Sequence, residues 1–207
     1  MNNNVYEVIK ERIVTLDYGP GYILNESDIA NEFGLSRTPV REAFKKLQND
    51  NLLNVVPRIG AQVAQIDFKH IKSVFEVEKV LDVLCTKLAL QRANEDGIKK
   101  LEEVIESYKQ HYAEMDYDKV IKDDSEFHRI MRELAQNPVL SGILDGLHTQ
   151  LERLWYYTQN RVTNIYGFTD TYVQIVNAMK EKDEEKAERY ALIHIESYIK
   201  QIKNDLL

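Results

Sequence analysis

The sequence predicts a mainly α-helical protein, in which an N-terminal winged helix-turn-helix domain precedes an all-α antiparallel helical bundle. Three observations carry this prediction. The 207 residues include only 8 Gly and 4 Pro, which favours long helices and few loops. Apolar residues recur at helical spacing along most of the chain. Two short apolar runs on either side of Pro57-Arg58-Ile59-Gly60 indicate one β-hairpin, so we expect domains over 1–66 and 67–207.

Composition excludes several classes of protein. With 43% hydrophobic and 29% charged residues, the chain has neither a disordered nor a membranous composition. No apolar run approaches the roughly 18 residues that cross a bilayer, so we expect no membrane partner. The N-terminus lacks the pattern of a secretory signal, and we expect a cytoplasmic protein. The single cysteine, Cys85, excludes an intramolecular disulfide and a cysteine-rich zinc site.

The elements of the N-terminal domain follow from breaks in the apolar pattern. Gly19-Pro20-Gly21 ends a first helix, Gly34 ends a second, and Ser36 can cap a third. A hairpin after three such helices is the winged helix-turn-helix order; the alternative is a small α+β domain with no role on nucleic acid. The predicted helices cover about 4–16, 26–33 and 37–49, and the strands 52–56 and 61–65.

Polar residues at the start of the third helix point to DNA. Arg37 and Arg41 are four residues apart and therefore share a helix face, with Thr38 beside them. The N-terminal end of a recognition helix enters the major groove, where Arg binds guanine or phosphate. Ser36 and Thr38 suit phosphate contacts, and Arg58 at the hairpin tip can reach the minor groove or the backbone. The alternative is a solvated Arg face with no ligand.

The charge of the chain limits how it can bind DNA. The net charge is −7, and residues 1–66 hold 7 basic and 8 acidic side chains. Within 36–60, however, five basic side chains face only two acidic ones. Because screening makes close charges count most, this pattern favours specific binding in one groove over general coating of DNA.

The C-terminal part contains a possible metal half-site. From about residue 67 the apolar pattern predicts six helices with short joints. Asp124 and His128 lie four residues apart on one helix face, which suits two ligands of a divalent metal, and His194 on the last helix can close the site. The alternative is a surface or capping pair with no metal.

The N-terminal residues resemble the GntR family of bacterial transcription regulators. Residues 35–43, Leu-Ser-Arg-Thr-Pro-Val-Arg-Glu-Ala, look like its signature, and the resemblance continues through 57–64. It implies that Ser36, Arg37, Thr38, Arg41 and Gly60 contact operator DNA. Ser27 departs from the family, which usually has an arginine there, so one contact is expected to be missing.

The C-terminal residues resemble the FCD group of this family. Asp-Ser-Glu-Phe-His at 124–128, Asn-Pro at 137–138 and the ending around His194 carry the resemblance. It implies a homodimer, a small-molecule effector such as a small organic acid, and a zinc, nickel or manganese ion held by one Asp and three His. Tyr172 stands where the third His is expected. A neutral phenol is a poor ligand, so the site holds metal with three ligands, recruits a substitute such as His148, or has lost the metal.

A second departure concerns the effector. The first helix of FCD domains usually carries an arginine that binds a carboxylate, and this chain has Glu78 there. A carboxylate repels an anionic ligand. Arg129 and Arg153, or else Arg132 or Arg161, are candidates to compensate, and Tyr172 is expected to face the effector.

These expectations combine into a ligand-responsive transcription regulator, which we expect to be a repressor and not an enzyme. A symmetric dimer would place two recognition helices on a palindromic operator. Two alternatives remain: a DNA-binding regulator with a vestigial, metal-free pocket, and a metal-dependent hydrolase using Asp124, His128 and His194. The hydrolase lacks a nominated general base and leaves the N-terminal domain without a role.

Overall fold

The computed structural model describes residues 5–56, 60–158 and 166–206. The chain divides into two compact units, Met1–Phe68 and Lys69–Leu207. Within the described ranges the protein is mainly helical, with one small sheet in the first unit, which confirms the predicted fold class.

The first unit combines three helices with a three-stranded antiparallel sheet. Its elements are α1 (Val5–Val14), β1 (Ile23–Leu24), α2 (Glu26–Phe33), α3 (Arg37–Asn49), β2 (Leu53–Val56) and β3 (Gly60–Val63). The strand order is β1-β3-β2, with Leu53 opposite Val63 and Leu24 opposite Ala61. The predicted hairpin is therefore present, while β1 is an additional strand that the apolar pattern did not indicate.

The core of the first unit comes from one face of each element. On α3 the buried residues Val40, Phe44 and Leu47 recur at helical spacing. They pack with Ile9 and Ile13 of α1, both of which are fully buried. Because this core uses the inward stripe of α3, its other face is left to solvent.

The second unit is a bundle of six described helices. They are α4 (Phe68–Arg92), α5 (Glu95–Ala113), α6 (Tyr117–Ala135), α7 (Pro138–Thr158), α8 (Tyr166–Glu181) and α9 (Glu184–Leu206). The packed pairs are α5 with α6, α6 with α7, α5 with α8, and α8 with α9. Short joints of two or three residues connect α5 to α6, α6 to α7 and α8 to α9, so these neighbours run antiparallel.

Individual residues explain where α5 and α6 begin and how closely these two helices pack. Asn94 and Asp116 cap the starts of α5 and α6 by accepting hydrogen bonds from backbone N–H groups three residues on. Gly97 lies where a Cβ would come within 2.3 Å of the Leu134 side chain, so glycine allows α5 to pack closely against α6. This packing positions the polar residues of α6 inside the bundle.

Candidate functional site

The start of α3 presents an exposed polar surface in the first unit. Ser36, Arg37, Thr38 and Arg41 are all exposed. Ser36 occupies the N-cap position with extended backbone, and its hydroxyl makes no capping bond within the described helix. The hydroxyl and the first-turn N–H groups are therefore available to a phosphate.

Arg41 is held by an acidic residue of α2. Its Nε lies 3.0 Å from Glu26 Oε1, and its Nη2 lies 2.8 Å from Glu26 Oε2. The hydrogen bonds from Arg41 lower the pKa of Glu26. This two-pronged contact fixes the guanidinium plane while leaving 57% of the Arg41 side chain exposed, and it joins the two helices of the predicted DNA-reading motif.

Of the two residues predicted to contact DNA from the wing, Arg58 and Gly60, the structure describes one. Arg58 lies outside the described residues. Gly60 begins β3 with φ of 139°, and a Cβ there would come within 2.5 Å of the Leu24 carbonyl oxygen. Glycine at this position therefore allows β1 and β3 to approach, a packing role that the sequence comparison did not predict.

The second unit brings three predicted metal ligands together. Candidate ligand atoms of Asp124, His128 and His194 all lie within 4.8 Å of one another. Asp124 and His128 come from α6 and His194 from α9, as the helical spacing predicts. Asp124 and His194 are buried.

A hydrogen-bond chain sets the tautomer of His194. The Thr171 hydroxyl donates its single proton to the Phe168 carbonyl oxygen at 2.6 Å, and its oxygen lies 3.0 Å from His194 Nδ1. Since the hydroxyl proton is already used, His194 Nδ1 must donate to Thr171. Burial and His128 lower the pKa of His194 to about 3, so the ring is neutral and its Nε2 carries a lone pair.

A neighbouring carboxylate orients His128. Asp82 of α4 places Oδ1 3.7 Å from His128 Nδ1. Burial opposes a charge on this ring, but the carboxylates of Asp82 and Asp124 outweigh it and raise the pKa of His128 to about 9. A metal at His128 would therefore have to displace a proton.

Tyr172 occupies the centre of the same cluster. Its hydroxyl donates a hydrogen bond to Asp124 Oδ1 and lies 3.5 Å from His128 Nε2. Burial, together with Asp124, raises the pKa of Tyr172 well above its ordinary value, so the phenol stays neutral. The donor set fits a metal with three protein ligands, and Tyr172 stands where a fourth would be.

A small cavity adjoins this cluster. Its volume is about 30 Å³, room for about two water-sized groups at roughly 10–15 Å³ each. The lining combines four carboxyl groups, three imidazoles and an aromatic and aliphatic wall: Glu78, Asp82, Asp124, Glu152, His128, His148, His194, Phe75, Leu151, Trp155, Ile195 and Tyr198.

Glu78 is the most unusual member of this lining. It is only 6% exposed, and its Oε1 lies 3.9 Å from His148 Nδ1, beyond hydrogen-bond distance. No residue that the structure describes donates a hydrogen bond to its carboxyl group. Burial, with the nearby Asp82 carboxylate, raises the pKa of Glu78 to about 8.

Three of the four arginines predicted to compensate for Glu78 do not line the cavity. Arg129 is exposed and donates to Glu126 and Glu133 on its own helix. Arg153 is buried but does not line the cavity, and burial lowers its pKa to about 10. Arg132 is buried 3.6 Å from Asp145, also off the lining, and Arg161 lies outside the described residues.

Several site residues were missing from the sequence-based prediction, among them Glu152, Asp82, Thr171 and Tyr198. Asp82 follows Glu78 by four residues on α4, so helical spacing alone could have placed both on one face. Thr171 precedes Tyr172, but its hydrogen bond to His194 joins residues 23 apart. Tyr198 follows His194 by four residues on α9, a spacing that could also have flagged it.

Comparisons with known families match both parts of the chain. Residues 1–63 match the family model described as "Bacterial regulatory proteins, gntR family". Residues 73–197 match the model described as "FCD domain". Together the two matches span nearly the whole chain.

Curated relatives match along almost their full length. "Uncharacterized HTH-type transcriptional regulator YdhC" of Bacillus subtilis is 26% identical, over 97% of this chain and 90% of the relative. "HTH-type transcriptional repressor RspR" of Escherichia coli is 21% identical, over 98% of this chain and 89% of the relative. Both are named as transcription regulators.

Solved structures share the fold. Escherichia coli McbR/YncC superposes with a TM-score of 0.86 at 20% identity, covering 97% of this chain and 95% of that one. A GntR regulator from Rhodococcus superposes with a TM-score of 0.81 at 19% identity, covering 98% and 97%. In the described ranges, none of the helices has the length and apolar character required to cross a membrane.

Proposed function

Because the chain belongs to the gntR family of bacterial regulatory proteins and carries an FCD domain, we propose that it is a repressor whose operator binding responds to a small molecule in the α4–α9 bundle. That it is a DNA-binding transcription regulator, and not an enzyme, follows from both family matches and the named relatives. The proposal includes four further points. The protein represses transcription, residues 1–66 bind DNA while 67–207 bind the effector, the protein is a homodimer, and it is located in the cytoplasm.

The exposed start of α3 is the observation that carries the DNA-binding role. Arg37 and Thr38 lie in the first turn, Ser36 offers a free hydroxyl, and Arg41 is held in a fixed plane by Glu26. We assign base or phosphate contacts to these four positions and to Arg58 and Gly60 of the wing.

The cavity beside Asp124, His128 and His194 is the proposed effector site. When bound there, zinc, nickel or manganese would supply a positive charge and open coordination positions. His194 is held in the tautomer that a metal ligand needs, and Asp82 orients His128. Tyr172 contacts the same atoms and contributes to the site. Such a metal would hold a small organic acid, since neither Arg129 nor Arg153 is among the described residues that line the cavity.

A regulator with a metal-free pocket is the second candidate. The hydrogen bond from Tyr172 to Asp124 favours it, because the hydroxyl satisfies the carboxylate that would otherwise need a metal. Metal affinity separates the two candidates.

Operator binding by the full-length protein tests the central claim. A duplex is first selected from a random DNA library, and its affinity is then measured by fluorescence anisotropy at fixed salt. We expect Arg37→Ala to weaken binding by about tenfold or more, the loss of a base or phosphate contact. Lys99→Ala is the matched control, because it removes an exposed positive charge from α5. Equal losses in the two variants, or no enriched sequence, would contradict the proposal.

A further inference from the structure

The chemistry of the cavity wall indicates what kind of group it accepts. The lining described above holds four carboxyl groups, and no lysine or arginine among the described residues lines it. The described lining therefore holds four side chains that can carry a negative charge and none that is positively charged at every pH. An anionic effector would meet repulsion on this wall.

Glu78 supplies the second, independent observation. It is a buried carboxyl group that faces the cavity and accepts no hydrogen bond from the described residues. The buried guanidinium of Arg132 lies 3.6 Å from Asp145 and does not line the cavity, and its effect on the pKa of Glu78 is small beside that of burial. The partner of Glu78 among the described residues is His148 Nδ1 at 3.9 Å, too long for a hydrogen bond, so a donor on a ligand in the cavity would complete the bonding of the carboxyl group.

The aromatic residues of the lining suit the same kind of ligand. Trp155 and Tyr198 pack with ring centroids 5.1 Å apart, and Phe75 lies 5.4 Å from Tyr198 in an edge-on arrangement. All three residues line the cavity. Aromatic faces attract organic cations, and their apolar area accommodates alkyl groups.

We propose that the effector carries a protonated alkylamine, whose ammonium group donates hydrogen bonds to Glu78 while its carbon chain lies against Trp155 and Tyr198. Asp82 and Glu152 add negative charge around the ammonium group. The inference rests on the proposed effector site, but it concerns the charge of the ligand and not its effect on operator binding. The cavity volume of about 30 Å³ limits the enclosed part to a group of about two heavy atoms, so a longer amine extends beyond it.

Three small probes that differ in charge test which charge the cavity accepts. Ethylammonium, propanol and propionate are each titrated into the full-length protein as purified, at constant ionic strength and pH, and binding is followed by ligand-observed NMR. We expect ethylammonium to bind and the other two not to bind. Equal binding of propanol would show that the wall takes neutral groups. Binding of propionate without ethylammonium would favour an acid held by a metal. Either result, or no binding of any probe, overturns the proposal.

Two variants locate the binding. Glu78→Gln keeps the shape but removes the carboxyl group that can ionise beside a bound ammonium group, and we expect ethylammonium affinity to fall about tenfold or more. Glu76→Gln is the matched control, because Glu76 is exposed on the same helix and pairs with Lys72. Equal affinity in the two variants would place the amine elsewhere. A bound probe that leaves operator affinity unchanged would contradict the regulatory role and leave the amine site standing.

Discussion

At the scale of single residues, Tyr172 decides how the buried cluster handles a metal. Its hydroxyl donates to Asp124 and approaches His128, two of the three candidate ligands. Since burial keeps the phenol neutral, it is a hydrogen-bond donor and not a competitive metal ligand. The same residue thus stabilises Asp124 without metal and leaves a three-ligand site.

Replacing Tyr172 with a histidine should therefore strengthen metal binding. Tyr172→His adds an imidazole from α8 beside Asp124 and His128, which completes a four-ligand set. We expect zinc affinity to rise by about tenfold or more, equivalent to about 1.4 kcal/mol. Equilibrium dialysis against buffered zinc, with elemental mass spectrometry of the protein, measures this.

Tyr172→Phe is the control for this experiment. It removes the hydroxyl that bonds Asp124 without adding a donor atom, so any gain it shares with Tyr172→His comes from freeing the carboxylate. Unchanged affinity in Tyr172→His would mean that the fourth coordination position lies away from residue 172. An unaltered protein that binds no zinc would favour the metal-free regulator.

Some contacts between individual residues could be predicted from the sequence, and others could not. Asp124 and His128 share a helix face, so their proximity follows from helical spacing. The pairing of Arg41 with Glu26 joins two helices, and no pattern in the chain specifies it. Whether the Arg129 side chain faces the cavity or neighbouring residues of α6 depends on how α6 is rotated about its own axis. The spacing of apolar residues defines that rotation too coarsely to decide.

At the scale of elements, the wing depends on a strand that sequence did not reveal. β1 is only Ile23–Leu24, too short for alternation to be recognised. The hairpin of β2 and β3 was predictable from its turn residues and apolar runs. The third strand follows from tertiary packing, because Gly60 lets the Leu24 backbone approach β3.

Alanine at position 60 should therefore destabilise the first unit. Gly60→Ala places a Cβ 2.5 Å from the Leu24 carbonyl oxygen at a φ of 139°, which L-residues rarely adopt. We expect a loss of about 1–3 kcal/mol in unfolding free energy, measured by urea denaturation, together with weaker operator binding.

Gly142 is the control for Gly60, because an alanine side chain would fit there without a clash. At Gly142 on α7, an added Cβ meets no atom within 4 Å. Gly142→Ala should raise stability by about 0.5–1 kcal/mol, since alanine favours a helix interior. If Gly60→Ala were equally harmless, the close approach of β1 to β3 would not constrain the wing.

At the scale of the whole molecule, the negative net charge is compatible with a DNA-binding role, because the acidic and basic side chains are unevenly distributed along the chain. The net charge of −7 arises mostly beyond residue 66, where 20 basic side chains meet 26 acidic ones. Two of these carboxyl groups, those of Glu78 and Asp124, are buried at the cavity. Their titration links the stability of the folded protein to pH.

Glu78 makes the unfolding free energy fall as pH rises. Its pKa is about 8 when folded and about 4.5 in its ordinary state, so between these values the folded protein binds the additional proton. The stabilisation is complete below pH 4.5 and is lost progressively up to about pH 8. Removing the titrating group should therefore raise the unfolding free energy of Glu78→Gln relative to that of the unaltered protein as pH increases across this window, by up to about 1.4 kcal/mol per pH unit.

Urea denaturation of the full-length protein from pH 5.5 to 8, at constant ionic strength and without added amine, measures this difference. His128 also has a raised pKa and lowers stability between about pH 6.5 and 9. Both proteins retain His128, so its contribution largely cancels in the comparison. Glu76→Gln, an exposed substitution on the same helix, should run parallel to the unaltered protein. Parallel behaviour of Glu78→Gln would show that Glu78 is ionised in the folded state, because a carboxylate with an ordinary pKa adds no slope in this range.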